Sequence, residues 1–274
     1  MRRMSIGWAL ATLAACSGQT TQDKSPGDTN SDDGTDSATT ETGYVFDSAP
    51  TEDVSARLEG AVYRGDGSPF EGAQLRFCRG AVCRNGETAR DGTYEFGAVA
   101  VDWFSFEVVG ERGQVTAFVP LQFESEQTRT VDLYVQDAVE TAIPRARAVL
   151  DAAPGLRIEV GEGDLEEVPL EDPATHVLAA QLPMAQWVPT DGLPGTVVGQ
   201  WSLGPFDFPA SDPDGLPTSF ENPAGLPEGT TLHAYVGSYE TSRWEELGTV
   251  TTEASGWTTT AGLTLLSTVV LLQE

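Results

Sequence analysis

Cysteine and histidine are the scarce reactive side chains of this 274-residue chain, with three of the first and two of the second. Cys78 and Cys83 flank Arg79-Gly80-Ala81-Val82, which reads as a hairpin that would bring the two sulfurs across neighbouring strands. Thiols so placed form a disulfide in an oxidising compartment. The loop is small, so the constraint on the unfolded chain is modest, ~2 kcal/mol. With no histidine nearby the pair is a poor zinc site, and no metal site is expected. His176 and His233 stand far apart and in no motif, as surface or hydrogen-bonded strand residues do. Residues 161–167 gather four carboxylates, but catalysis would need two of them opposed across a cleft; the segment reads as a solvated acidic loop. Ser211-Asp212-Pro213-Asp214-Gly215 could offer two carboxylates to calcium and reads as a turn. The chain lacks HExxH, GxSxG, a P-loop and a dinucleotide fingerprint, so no catalytic residue and no cofactor are assigned and the protein is expected not to be an enzyme. Tryptophans could stack on sugar rings where exposed, although burial is their commoner fate in a sandwich. Trp187 and Trp257, nearest to turn residues, are the candidates for ligand stacking.

The third cysteine has a different setting. Arg2 and Arg3 precede a largely apolar run, residues 6–15, that ends in Leu13-Ala14-Ala15-Cys16. The run is too short to span a bilayer comfortably and reads as a secretory signal peptide over residues 1–15. Its ending resembles the lipobox of bacterial lipoproteins, which implies that Cys16 is lipidated and becomes the mature N-terminus. Ser17 and Gly18 follow, without the aspartate that retains some lipoproteins in the inner membrane. The resemblance therefore implies the outer membrane, on its periplasmic or surface face. Two or more acyl chains would hold the protein there stably.

Residues 16–54 are rich in Ser, Thr, Asp and Gly, with too little apolar area to offset the entropy of ordering. They are predicted to be a disordered acidic tether, with an r.m.s. span of roughly 34 Å. The run Asp28 to Gly34 superficially suggests a calcium loop. Its glycine falls one position late, and Thr39 stands where a bidentate glutamate is needed. Over the whole chain 42 acidic residues face 15 basic ones, a formal charge of −27. Such a surface repels nucleic acid and anionic headgroups, so nucleic acid is excluded as a partner. What remains is the membrane, through the lipid, and a protein or glycan ligand.

The elements that must position these residues are short strands. The 29 glycines and 17 prolines are scattered among many Val and Thr residues, a pattern of strands joined by turns. Alternation over 57–64 leads into a turn at 65–69. Further strands are predicted near 73–78, 81–84, 93–96, 104–109, 115–119 and 130–135, with Asn85-Gly86 and Asp91-Gly92 as turn signals. Strands at this spacing suggest a β-sandwich. Gly60, Val62, Gly67, Pro69, Phe70, Gly72, Ala73 and Leu75, followed by Asp91, Gly92, Tyr94 and Phe96, carry a resemblance to the carboxypeptidase regulatory-like domain, a transthyretin-like sandwich. Val101-Asp102-Trp103 departs from that family, which usually has a glycine there. The resemblance covers 55–136 and implies a non-catalytic module.

Over 137–274, strand-like pieces fall at 156–160, 176–182, 197–203, 231–239 and 246–252. A last apolar run near 263–272 is too short to cross a bilayer as a helix and reads as a closing core strand. Asn222, Gly225, Leu226, Pro227, Gly229 and Thr230, then Arg243, Trp244 and Gly248, resemble β-sandwich segments of the zonula-occludens and netrin-receptor type. The His-Phe-Ser element of those proteins is absent, so self-cleavage is not implied. The expectation is an all-β protein with two β-sandwich-like domains, 55–136 and 137–274, behind a signal peptide and a tether. Its expected role is structural or protein-binding display, with carbohydrate binding as the alternative.

Overall fold

The computed structural model describes residues 53–168, 172–222 and 224–274. The signal peptide, Cys16 and all but the end of the predicted tether lie outside the described residues. The described chain is all-β, with one three-residue 3-10 turn at Met184–Gln186. No helix among the described residues is long and apolar enough to cross a membrane.

The first lobe is built from β1 (Ala56–Arg64), β2 (Gln74–Arg79), β3 (Val82–Glu87), β4 (Thr93–Val99), β5 (Trp103–Val108), β6 (Gln114–Thr116), β7 (Val119–Gln122), β8 (Thr128–Thr130) and β9 (Leu133–Asp137). One sheet runs β4-β1-β9-β6, with β8 also on β1, and the other runs β3-β2-β5-β7. Between them lies a phenylalanine-rich core in which Phe77 stacks on Phe104 at 4.6 Å and meets Phe106 and Phe123 edge-on. Edge and offset contacts of this kind add to the simple burial of the rings.

The second lobe comprises β10 (Val139–Ala142), β11 (Ala148–Ala153), β12 (Leu156–Val160), β13 (His176–Gln181), β14 (Thr196–Gly204), β15 (Phe208–Pro209), β16 (Leu216–Phe220), β17 (Thr231–Ser238), β18 (Arg243–Thr251), β19 (Ala261–Leu263), β20 (Leu265–Leu266) and β21 (Thr268–Gln273). A six-stranded sheet, β10-β13-β14-β21-β17-β18, faces a four-stranded one, β11-β12-β16-β19, and a β15-β20 ribbon. Their core centres on Trp201, stacked obliquely on Phe220 at 5.1 Å.

The middle of the six-stranded sheet, β14, β21 and β17, is buried on both faces, and β21 shows why its sequence does not alternate. Val269 and Leu271 point into the second lobe's core, while Val270 and Leu272 join the first lobe's apolar cluster together with Leu182, Val188, Tyr235 and Trp244. A strand covered on both sides reads as a continuous apolar run. The described residues accordingly belong to one compact unit.

Four local readings of the sequence change. The stretch 130–135, read as one strand, divides between the end of β8 and β9. The stretch 115–119 is two strands in opposite sheets, because the chain crosses at Ala117-Phe118 and the Phe118 N–H is held by Thr268 Oγ1 at 2.7 Å. The run 263–272 breaks into β19, β20 and β21. Asn85-Gly86 is not a turn but lies inside β3, where a Cβ on Gly86 would sit 2.8 Å from the Phe96 ring. That glycine lets β3 curl over β4, which is a demand of packing and not of chain reversal.

Candidate functional site: the seam between the lobes

Period-two alternation sends Leu75 and Phe77 of β2, and Phe104, Phe106 and Val108 of β5, into the first lobe's core. It therefore turns Arg76, Cys78, Trp103, Ser105 and Glu107 to the sheet's outer face. In a free-standing sandwich that face would meet water. Here β17 and β18 cover it, and Gly237 makes the approach possible: a Cβ there would lie 2.7 Å from the Phe118 ring. Beside it the Arg243 guanidinium sits 5.3 Å from the Trp103 ring centroid. Arg129 of β8 clamps Asp191 of the second lobe with both guanidinium nitrogens, and Asp191 also accepts the Gln122 N–H at 2.9 Å.

One end of this seam opens into a cleft of about 400 Å³ whose walls include Arg76, Glu107, Arg112, Glu140, Phe206 and Phe208. Glu107 is the chemically distinctive residue. Its side chain is 8 % exposed, and the guanidinium paired with it, Arg76 Nη1, stands 3.4 Å from Oε1 and is itself half-exposed. Burial pushes the Glu107 carboxyl up to about 7, against the opposing pull of Arg76 and with added repulsion from Asp207. Asp207 lies between the two lining phenylalanines at φ 65°, its N–H bonded to Leu266 O at 2.9 Å. Its carboxyl is raised to about 6 by burial, then by the charge of Glu240. From the second lobe the Tyr239 hydroxyl reaches Cys83 Sγ at 3.1 Å, and burial raises its pKa, with Glu107 adding to the shift. The cleft can thus hold protons near neutrality on groups from both lobes.

The sequence candidates are placed as follows. Cys78 and Cys83 are register partners on β2 and β3, their sulfurs 2.07 Å apart. Trp187 is half-buried, donates its indole N–H to Leu182 O at 3.0 Å, and lines a depression of about 300 Å³ beside the exposed Met184. Trp257 is also half-buried, in a separate open groove with Ser219, Glu253 and Thr258, and the Arg157 guanidinium covers one face of its ring at 3.7 Å. The two tryptophans do not share a site. In the acidic loop 161–167, Asp164 pairs with Arg147 at 2.8 Å and caps the Gly161 N–H. His176 and His233 lie on β13 and β17, with β14 and β21 between them in the sheet, and each contacts a glutamate. Among the described residues no three His, Cys, Asp or Glu side chains converge as a metal site would require.

Glu107 was not singled out by sequence reasoning. Its signal was faint: a carboxylate within Phe104-Ser105-Phe106-Glu107-Val108, on the face expected to meet solvent.

No protein-family model matches the chain, and no curated protein matches it. Among solved structures it aligns with the Bacillus anthracis TIE protein at 11 % identity and TM-score 0.27, covering 75 % of this chain and 43 % of that one. It therefore spans less than half of the TIE protein. DUF3823 family proteins align at 8 % identity and TM-score 0.24 (Bacteroides ovatus, 76 % of this chain and 81 % of that one) and at 9 % and 0.25 (Parabacteroides merdae, 80 % and 98 %). Scores this low carry neither the architecture nor the role of those proteins over to this one.

Proposed function

We propose that this protein is an exported, lipid-anchored protein of the outer membrane that displays one rigid, two-lobed β-block for a structural or protein-binding role. The observation that carries the reading is Leu13-Ala14-Ala15-Cys16 behind Arg2-Arg3, with Cys16 the one cysteine outside the Cys78–Cys83 pair. In this reading the first lobe is a carboxypeptidase regulatory-like module and does no chemistry. Binding would use the open sheet edges: β3 and β11 are terminal strands and expose Val82 and Val149, so either could accept a strand from a partner. Palmitate labelling and membrane fractionation test the anchor. The wild-type chain should be labelled and sediment with membranes, and Cys16→Ser should do neither. A labelled Cys16→Ser chain would overturn the proposal.

A second reading, glycan binding, is favoured by the hydroxyl-rich groove that Trp257 lines together with Ser219, Ser255 and Thr258. Arrayed glycans with the wild-type chain and Trp257→Ala would separate the two readings.

A further inference from the structure

The seam joins two lobes through a large apolar contact, but its cleft end is built from groups that resist being packed. Glu107 projects from β5 into the space between the lobes, nearly buried, with a half-exposed Arg76 as counter-ion. Phe206 and Phe208, on either side of Asp207 in the chain, line the same cleft. The charge of Asp207 acts on Glu107, that of Glu240 in the β17–β18 turn on Asp207, and that of Glu107 on Tyr239 at the end of β17. Glu111 and Arg112 from the β5–β6 loop and Glu140 of β10 stand on the cleft wall. Ser105 Oγ, one alternation away from Glu107, and Trp244 Nε1 are buried without a hydrogen-bond partner. Buried polar atoms left unpaired cost of order 1–3 kcal/mol each, so these two weaken the seam where they lie.

We propose that this end of the seam is a proton-operated latch, closed when Glu107 and Asp207 carry protons and loosened when both are ionised across the lobe boundary. The protonated pair packs without Coulombic cost. Two carboxylates, with the charge of Glu240 acting on Asp207 and one half-exposed guanidinium as the counter-ion of Glu107, repel and draw water into the cleft. The direction with pH follows from linkage. Both groups bind protons more tightly in the closed state than the ordinary values of 4.5 and 3.8, at about 7 and about 6. Stability of the closed seam is therefore full below about pH 4 and is lost as the pH rises through 6 and 7. For Glu107 the gap from 4.5 to about 7 sets a ceiling of ~300-fold on the change in the opening equilibrium. The exposed aspartates held below the usual range, among them Asp66 and Asp91, titrate on the acid side of this window.

Hydrogen exchange on the full-length chain at pH 5 to 8, with the intrinsic chemical rates divided out, reads the latch directly. In the wild type, protection of amides in 205–208 and 238–244 should fall ~10- to 300-fold over that range, while the Trp201 core holds. Glu107→Gln and Asp207→Asn should each flatten the profile. The half-buried Asp207 carries the test if Glu107→Gln does not fold. A flat wild-type profile, or one that Asp207→Asn leaves unchanged, overturns the latch.

Discussion

The Arg129–Asp191 clamp offers the sharpest test of how the lobes are held. The two side chains are 16 % and 17 % exposed, so water screens the pair poorly. Asp191 accepts three hydrogen bonds: two from Arg129 and one from the Gln122 N–H. Arg129 Nη1 also donates to Gln122 O at 2.8 Å. Removing one partner of a buried pair strands the other, at ~3–5 kcal/mol when burial is complete. The residual exposure here lowers that to ~2–3 kcal/mol for Arg129→Met or Asp191→Ala alone. The double variant should cost little more than either single one, because it strands no charge, giving a coupling energy of ~2 kcal/mol. For a fold of this size each single variant then lowers Tm by ~5–10 °C. Urea and thermal unfolding of the four proteins measure the cycle. Additive losses, with a coupling energy under ~0.5 kcal/mol, would show that the pair is a surface ornament and that apolar contact alone fixes the seam.

Two further outcomes follow from the same interface and its hairpin. Gly237→Val places a branched side chain where a Cβ already meets the Phe118 ring at 2.7 Å and Pro120 Cδ at 3.5 Å. It should lower stability by ~1–3 kcal/mol and raise exchange at the seam before exchange in either core, as hydrogen-exchange mass spectrometry would show. Replacing Cys78 and Cys83 together by serine should cost ~2 kcal/mol, read as a fall in urea midpoint, since the closed loop is short. A loss well above that would mean that the Tyr239 contact on the sulfurs, and not the loop closure, is what the pair contributes.

Much of the strand inventory was legible in the sequence. The alternation of β1, β2 and β5 and the apolar positions of β12, β14 and β17 mark their strands because one face of each meets a core. The sequence was silent where the reason lies in another part of the chain. The crossing at Ala117-Phe118 depends on Thr268, far along the chain, and Gly86 is small because Phe96 presses on it. β10, β11, β15 and β16 went unseen: β10 is short and polar, β11 is mostly exposed, β15 is two residues long, and β16 carries a proline.

The sequence by itself determined the all-β class, the pairing of Cys78 with Cys83 and the core character of the last apolar run. Each follows from short-range rules of alternation, turn length and continuous hydrophobicity. Only the tertiary structure decided that the outer face of β5 meets a second lobe. Alternation tells which side of a strand a residue occupies, and not whether that side meets water or protein. Glu107 and the Phe206 and Phe208 that flank Asp207 come from segments about a hundred residues apart, so only the packing of one lobe on the other brings them to one cleft.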